Sequence, residues 1–318
     1  MTPTVSVIIP TFNRSALLRE SLDSVAAQSY RDFETILVDD GSTEDIAAVA
    51  LNHPTRPQLL RRERGGPAAA RNAGAAVARG PLLAFLDSDD LWLPEKLARF
   101  VARFDAHPES TICYGPMQPV DADRQPVAGR TKPCVSGRIT DALFHSSFVH
   151  VPTVVLRRDL FEAFGGFDPS LRVCEDYDLW LRVSVRHDFD LIEAPLALRR
   201  LHDDRLSKSS MTRNLAVKVG VLERFYAVPE HRAALREPAA RQRIARVAFA
   251  AGRAALGAGC FRGAANMLRT ARRYGAGPLR VWPLWAAATI LSGLDRKRLE
   301  ERGVNPVRPA RAIAEPRS

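Results

Sequence analysis

Apolar and polar positions along this chain follow two regimes. Up to about Met211, short β-branched or leucine-rich runs alternate with segments whose apolar residues recur three or four apart; beyond it, only the helical spacing remains. Val5-Ser6-Val7-Ile8-Ile9 is the first short run, and it stops at Pro10-Thr11, which predicts a strand ending there. Leu18, Leu22 and Val25 then mark one face of a helix, with Asn13 or Ser15 available to cap its start. Phe33-Glu34-Thr35-Ile36-Leu37-Val38 predicts a second strand, closed by Asp39-Asp40-Gly41-Ser42. The order strand, helix, strand implies a parallel pair and an α/β fold class.

The pattern continues with a short edge strand at Leu59 to Arg62 and a turn at Gly65-Gly66-Pro67. A helix follows through Arg71, Asn72 and Ala75 to about Arg79. Gly80-Pro81 stops that helix, and Leu82 to Leu86 reads as a buried strand. The strand ends at Thr11, Asp39 and Asp87 therefore line one edge, where open α/β sheets bind ligands. Further on, Leu97, Phe100, Val101 and Phe104 predict an amphipathic helix, and Thr111 to Tyr114 a strand. Residues 116–140 predict a loop or hairpin, Val151 to Leu156 a strand and Arg158 to Phe164 a helix. Another helix opens at Glu175-Asp176 with carboxylates in its first turn. The Ala-, Arg- and Leu-rich remainder predicts helices at Val217 to Tyr226, Ala239 to Gly257 and Gly263 to Tyr274. From Gly303 onward the tail predicts disorder. These segments divide the chain into 1–210, with a nucleotide-binding half at 1–90 and an acceptor and catalytic half at 91–210, then a basic helical region at 211–298 and a tail at 299–318.

Charge sharpens the division. Of the formal net +10, residues 1–210 contribute −4 and residues 211–318 contribute +14. Such a basic block suits an anionic membrane surface or a partner, with self-association as the rival reading. The apolar stretch Val281 to Leu294 has 14 residues, too few to span a bilayer. The N-terminal apolar run is too short for a secretory signal and is cut by Pro10. A cytoplasmic protein, with peripheral contact to the inner face of the membrane left open, is the expectation. Cys113, Cys134, Cys174 and Cys260 form no Cys-x-x-Cys pair, so neither zinc nor a disulfide framework is indicated.

The strongest chemical signal is Leu86-Asp87-Ser88-Asp89-Asp90. Side chains two apart on an extended backbone face one side, so Asp87 and Asp89 converge. Two such carboxylates repel unless a cation joins them, and hard oxygen donors select Mg2+ or Mn2+ together with a substrate's phosphates. Asp90 is expected to cap the next helix, which Pro94 and Glu95 would open.

Five segments in order are Val-Ser-Val-Ile-Ile-Pro-Thr-Phe-Asn-Arg, Val-Asp-Asp-Gly-Ser-Thr, Ala-Arg-Asn-Ala-Gly, Leu-Asp-Ser-Asp-Asp and Glu-Asp-Tyr-Asp-Leu-Trp-Leu-Arg. Together they make the chain resemble glycosyltransferase family 2 over roughly residues 3–205. The resemblance implies a GT-A fold, Rossmann-like with a mostly parallel sheet, and inverting transfer from a nucleotide-diphosphate sugar. It implies that Pro10, Thr11, Asn13, Asp39, Arg71, Asp87 and Ser88 bind the nucleotide sugar. Asp39 would meet the base, Asp87 the ribose, and Arg71 the region of the diphosphate. It implies that Asp89 holds Mn2+ or Mg2+ and that Asp176, with Glu175 as helper, takes the acceptor proton. His202, beside Asp203-Asp204-Arg205, is a further candidate for the metal or diphosphate. Trp92 and Trp180 are expected to be packing residues, and Asp178 to serve the helix dipole.

Two other enzyme classes are disfavoured. Pro10-Thr11-Phe12-Asn13-Arg14 holds no glycine, whereas a sugar nucleotidyltransferase or an NAD-binding Rossmann enzyme would need a glycine-rich loop after the first strand. A non-catalytic nucleotide-sugar sensor or assembly scaffold is the remaining alternative. No nucleic-acid partner is expected.

Overall fold

The computed structural model describes residues 2–121, 123–127, 134–201 and 211–301, with backbone alone for 295–301. The chain divides into two compact units, one of Met1–Ser210 with Gly220–Ala240, the other of Met211–Val219 with Arg241–Ser318.

The first unit is built on a seven-stranded sheet. Its strands are β1 (Val5–Thr11), β2 (Phe33–Asp39), β3 (Gln58–Arg61), β4 (Leu82–Phe85), β6 (Ile112–Tyr114), β8 (Val155–Arg157) and β9 (Asp190–Leu191), in the order β3-β2-β1-β4-β8-β6-β9. β1 pairs parallel with β2 and β4, and β2 with β3, so the N-terminal half is a parallel sheet. Only β8 runs against its neighbours, β4 and β6. All of β1 and β4 and most of β2 are buried, as unbroken apolar runs in a covered parallel sheet should be. The helices of this half are α1 (Ser15–Ala26), α2 (Ile46–Leu51) and α3 (Pro67–Val77). Leu18, Leu22 and Val25 of α1 pack into the core with Val5, Val7, Ile9 and Leu37.

Beyond β4 come α4 (Lys96–Ala106), α5 (Thr140–His145), α6 (Arg158–Ala163) and α7 (Glu175–Ser184). A second sheet joins β5 (Leu91–Trp92), β10 (Ala197–Arg200) and β7 (Met117–Val120) in that order. Residues 116–140, expected as loop or hairpin, contain a hairpin turn in which Val120 bridges Pro126 antiparallel, but the expectation lacked the sheet pairing of β7. Met117–Val120 pairs in parallel with a strand some 80 residues later in the chain, a partner that local pattern cannot reveal. Likewise Val151–Thr153 is a 3-10 turn and the strand begins only at Val155, because Pro152 denies the ladder a donor. Asp90 precedes β5 rather than a helix, and α4 starts after Glu95, which makes no side-chain cap.

Six-residue α2 and α5, five-residue α9 (Pro229–Ala233) and the long α12 (Pro278–Glu301) have no counterpart among the individually predicted helices, whereas α8 (Met211–Ala227), α10 (Glu237–Gly257) and α11 (Phe261–Arg273) do. The expected disorder from Gly303 onward lies outside the described residues. Among the described residues no helix is long and apolar enough to cross a membrane.

One core feature runs against polarity rules. Lys96 is fully buried, its Nζ sits 3.8 Å from the Phe100 ring centroid and 4.8 Å from that of Trp92, and it finds no hydrogen-bond acceptor. Burial pushes its amine down from 10.5 to about 7, although nearby Cys113 acts the other way. In the unfolded chain the amine keeps its ordinary value, so above about 7 the unfolded state holds a proton that the folded state has shed. Stability should therefore rise with pH across that window. Lys96→Met is expected to raise the melting temperature at neutral pH. It should also remove about 2 kcal/mol of the wild-type gain between about pH 7 and about pH 9, read by chemical denaturation of both proteins.

Candidate active site

The site grows from the carboxyl ends of β1, β2 and β4, where Thr11 and Asp39 are register partners. Thr11 is buried and its hydroxyl has no hydrogen-bond partner. Pro10 is buried beside it. A buried hydroxyl left unpaired costs free energy unless a ligand completes it, which fits a binding edge. Asp39 is also buried; its Oδ1 accepts from the Ser42 amide at 2.9 Å, and Oδ2 lies 3.6 Å from the Arg61 guanidinium.

Asn13 sits at φ 48° and ties the loops after β1 and β2 together. Its Oδ1 accepts from the Thr43 amide at 2.8 Å and its own amide donates to Ser42 Oγ at 3.0 Å. Asp40 takes a role that sequence reasoning missed. Its carboxylate accepts from the amides of Gly65 at 3.0 Å and Gly66 at 2.7 Å and from Arg62 Nη1 at 2.5 Å. That fixes the loop leading into α3. Gly41 permits the approach: at φ 82° it lies so close that an added Cβ would meet the Arg64 nitrogen at 3.0 Å.

α3 then carries Arg71 inward. It packs tightly on the sheet, since a Cβ on Gly74 would fall 2.5 Å from Ile8 Cγ2; this explains the small residues around Arg71. The Arg71 guanidinium is buried and bridges two segments, donating from Nη2 to Asp87 Oδ1 at 2.5 Å and from Nη1 to Glu175 Oε1 at 2.7 Å. Its Nε has no partner. Burial works against the charge, but the two carboxylates outweigh it and hold Arg71 well above its usual range. Asn72 clamps the backbone of Phe167 with two hydrogen bonds, 2.7 Å from Nδ2 to its carbonyl and 3.0 Å from its amide to Oδ1. Arg182 holds the same turn by donating to the Phe164 carbonyl at 2.6 Å and the Gly166 carbonyl at 3.1 Å. It also pairs with Asp178 at 2.9 Å.

Asp87, Asp89 and Asp90 each bring a carboxylate oxygen within 4.8 Å of the others. Burial raises the Asp87 pKa first; Arg71 opposes this, and Asp89 and Glu175 add to it, so the net shift is upward. Arg14 pairs with Asp89, a partner signalled only by the arginine closing the first motif. Ser88, between the first two aspartates, is buried. Three convergent hard oxygen donors suit a small divalent cation. Across the Arg71 bridge, Glu175 is buried and Asp176 half-buried at the start of α7. Burial, reinforced by Glu175 and Asp87 against Arg71 and the Tyr177 amide, pushes Asp176 up to about 7.

The structure thus brings Asp87 and Glu175 onto one guanidinium, sets Asp176 next to Glu175, and gathers Asp87, Asp89 and Asp90. Asp39, Pro10, Thr11 and Asn13 lie along the adjoining strand ends. His202 lies outside the described residues. Trp92 and Trp180 are buried packing residues; Trp92 Nε1 donates to the Pro152 carbonyl at 2.8 Å, and Trp180 meets Phe167 edge-on.

The fold is that of GT-A glycosyltransferases. It is similar to Staphylococcus aureus TarS 1–349 (TM-score 0.60, 18 % identity, 94 % of this chain and 92 % of that one). A form of that protein in complex with UDP-GlcNAc aligns at TM-score 0.62. Mannosyltransferase PcManGT from Pyrobaculum calidifontis, in complex with GDP-Man and Mn2+, aligns at TM-score 0.56 with 21 % identity over 93 % of this chain and 88 % of that one. The sequence model described as Glycosyl transferase family 2 matches residues 6–165, and the chain belongs to that family. An uncharacterized glycosyltransferase of Haemophilus influenzae is 29 % identical over 70 % of this chain and 76 % of its own length. One of Rickettsia bellii is 32 % identical over 63 % of this chain, which spans only 29 % of that relative.

Asp176 gives a stability prediction. Its folded pKa lies above its unfolded value of 3.8, so the folded state holds a proton that the unfolded state has lost, and stability falls as pH rises from about 4 through about 7. Asp176→Asn should melt higher than wild type at about pH 8 and lose that advantage by about pH 4. Parallel thermal melts read the difference; curves displaced equally at every pH would contradict the assignment.

Proposed function

We propose that this glycosyltransferase moves a sugar, with inversion and with the aid of Mn2+ or Mg2+, from a nucleotide-diphosphate donor to an acceptor hydroxyl. The acceptor is a glycan, glycolipid or glycoprotein, and a UDP-sugar is the first donor to test. The observation that carries the reading is the Arg71 bridge, which links Asp87 of the acidic cluster to Glu175 beside the high-pKa Asp176.

Thr11 and Asp39 receive the nucleoside along the strand ends, where the unpaired Thr11 hydroxyl and the Asp39 carboxylate offer hydrogen bonds. Asp87, Asp89 and Asp90 would hold the cation, which supplies positive charge to the donor's diphosphate. Asp176 takes the acceptor's proton as the new C–O bond forms at the anomeric carbon. The bond from that carbon to the diphosphate breaks with its electron pair leaving on the diphosphate, through an oxocarbenium-like transition state. A carboxylate with a pKa near 7 is a stronger base than an ordinary one yet still ionised enough to act. Arg71 keeps Glu175 and Asp87 in register and contributes fixed positive charge close to the leaving group.

Calorimetric titration of UDP, GDP and dTDP, with and without Mn2+, should show metal-dependent binding of one nucleotide. Asp176→Ala should keep that binding while release of nucleoside diphosphate from the donor falls by about 100-fold or more. In wild type, kcat/KM should drop as pH falls below about 7, when Asp176 is protonated. Unchanged turnover in Asp176→Ala would refute the base, and failure of all three nucleotides to bind would favour the scaffold reading. Arg71→Met should be more damaging than loss of one charge, because it leaves Glu175 buried without its guanidinium. Lower turnover and a melting point depressed by several degrees are expected, a cost of about 3 kcal/mol, with partial recovery of turnover in Arg71→Lys.

A further inference from the structure

Within the second unit one long stretch carries charge of one sign. From Arg241 through Leu294 the chain has nine arginines and neither aspartate nor glutamate. α11 is sharply two-faced. Ala264, Ala265, Leu268 and Ala271 are buried, whereas Arg262, Arg269 and Arg272 are exposed. α12, which packs against α11, shows the complementary feature. Val281 and Ala288 turn inward, while Leu279 is 91 %, Trp282 55 %, Ile290 63 % and Leu294 52 % exposed. At 100° per residue these four, with exposed Ala286, fall within a stripe about 120° wide, on the side of the helix away from Val281 and Ala288. The stripe runs about 22 Å along the axis and contains no charged residue.

We propose that the outward stripe of α12 and the arginines of this helix pair form a docking surface for an anionic lipid bilayer. The stripe lies in the interface plane and does not cross it. Charge decides the occupant. A second copy meeting this one through the same stretch would bring arginines against arginines, with no acidic side chain between Arg241 and Leu294 to pair them. A phosphate-bearing lipid surface suits the exposed Arg262, Arg269 and Arg272 and takes the apolar stripe as well. A nucleic acid would satisfy the arginines but leave Leu279, Ile290 and Leu294 in water. Trp282 suits the headgroup level, where its ring is half in apolar surroundings.

The test uses the full-length protein and two sets of vesicles, phosphatidylcholine alone and phosphatidylcholine with about a third phosphatidylglycerol. Wild type should sediment with the anionic vesicles only, and its tryptophan emission should shift to the blue. Trp92 and Trp180 are already buried and Trp285 is partly buried against the alanine cluster of this unit, so Trp282→Phe should abolish most of that shift while sedimentation persists. Ile290→Asp should cut partitioning at least tenfold and Arg269→Gln about fivefold, with melting temperature and nucleotide binding unchanged. Nucleotide binding reads the donor site alone, so failure of this surface and failure of the catalytic reading are separable. The proposal is overturned if wild type stays in the supernatant, or if Ile290→Asp sediments like wild type. It is overturned equally if light scattering shows a dimer that Ile290→Asp disperses and vesicles do not bind. Duplex DNA binding unaffected by Ile290→Asp, without vesicle binding, would assign the arginines to nucleic acid instead.

Discussion

The arrangement of the site rests on one buried guanidinium. Arg71 joins Asp87, at the end of a parallel strand, to Glu175, which opens a helix more than a hundred residues later. A lone buried cation would be prohibitively costly, and so would either carboxylate without it. Each group is tolerable only because the others are in place, so the folded chain has one way to satisfy all three. The supports are correspondingly dense. Asp40 fixes the loop that starts α3, Gly74 lets α3 approach the sheet, and Asn72 and Arg182 hold the turn before α7. None of these four touches the proposed chemistry, yet each limits how far Arg71 can drift.

That coupling explains what could be read in the sequence. β1, β2 and β4 were legible because a covered parallel strand is an unbroken apolar run, and α1, α3 and α4 because a half-buried helix repeats its apolar residues. The ends of those strands placed Thr11, Asp39 and Asp87 on one edge without further help. The short strands β5, β7, β9 and β10 were not legible. β5, β7 and β10 exist because they pair with one another across long stretches of chain, and nothing local encodes the partner. Asp90 illustrates the limit within the site. An aspartate ahead of Pro94-Glu95 has the local features of a helix cap, but the chain first makes the short strand Leu91–Trp92, which leaves Asp90 with the acidic cluster.

The roles of individual polar residues divide the same way. Adjacent Asp39 and Asp40 look equivalent in sequence, yet their carboxylates have different partners: Asp39 at the end of β2 accepts from the Ser42 amide, and Asp40 just beyond it from the glycine amides. Arg14 gave no signal beyond its place at the end of the first motif, because its partner Asp89 lies 75 residues away. Glu175 and Asp176 are likewise neighbours with opposite duties. Glu175 is committed to Arg71, and its charge helps to raise the pKa of Asp176. A residue whose neighbour already neutralises the local cation is left with the raised proton affinity that a base requires.

Charge balance at the site points the same way. Asp87, Asp89, Asp90, Glu175 and Asp176 stand against the paired guanidiniums of Arg14 and Arg71. Among the described residues these carboxylates outnumber these two guanidiniums even with Asp176 protonated, and burial makes uncompensated negative charge expensive. The excess can be relieved by proton uptake, which the upward shifts of Asp87 and Asp176 express, or by a divalent cation at the three aspartates. On the proposed reading these are alternatives in one equilibrium: Asp87, Asp89 and Asp90 would hold a cation, whose charge would offset the local negative potential that holds the proton on Asp176. Arrival of the donor with its metal would then lower the pKa of the base from about 7 and ready it for the acceptor, because the same guanidinium couples the two halves of the site.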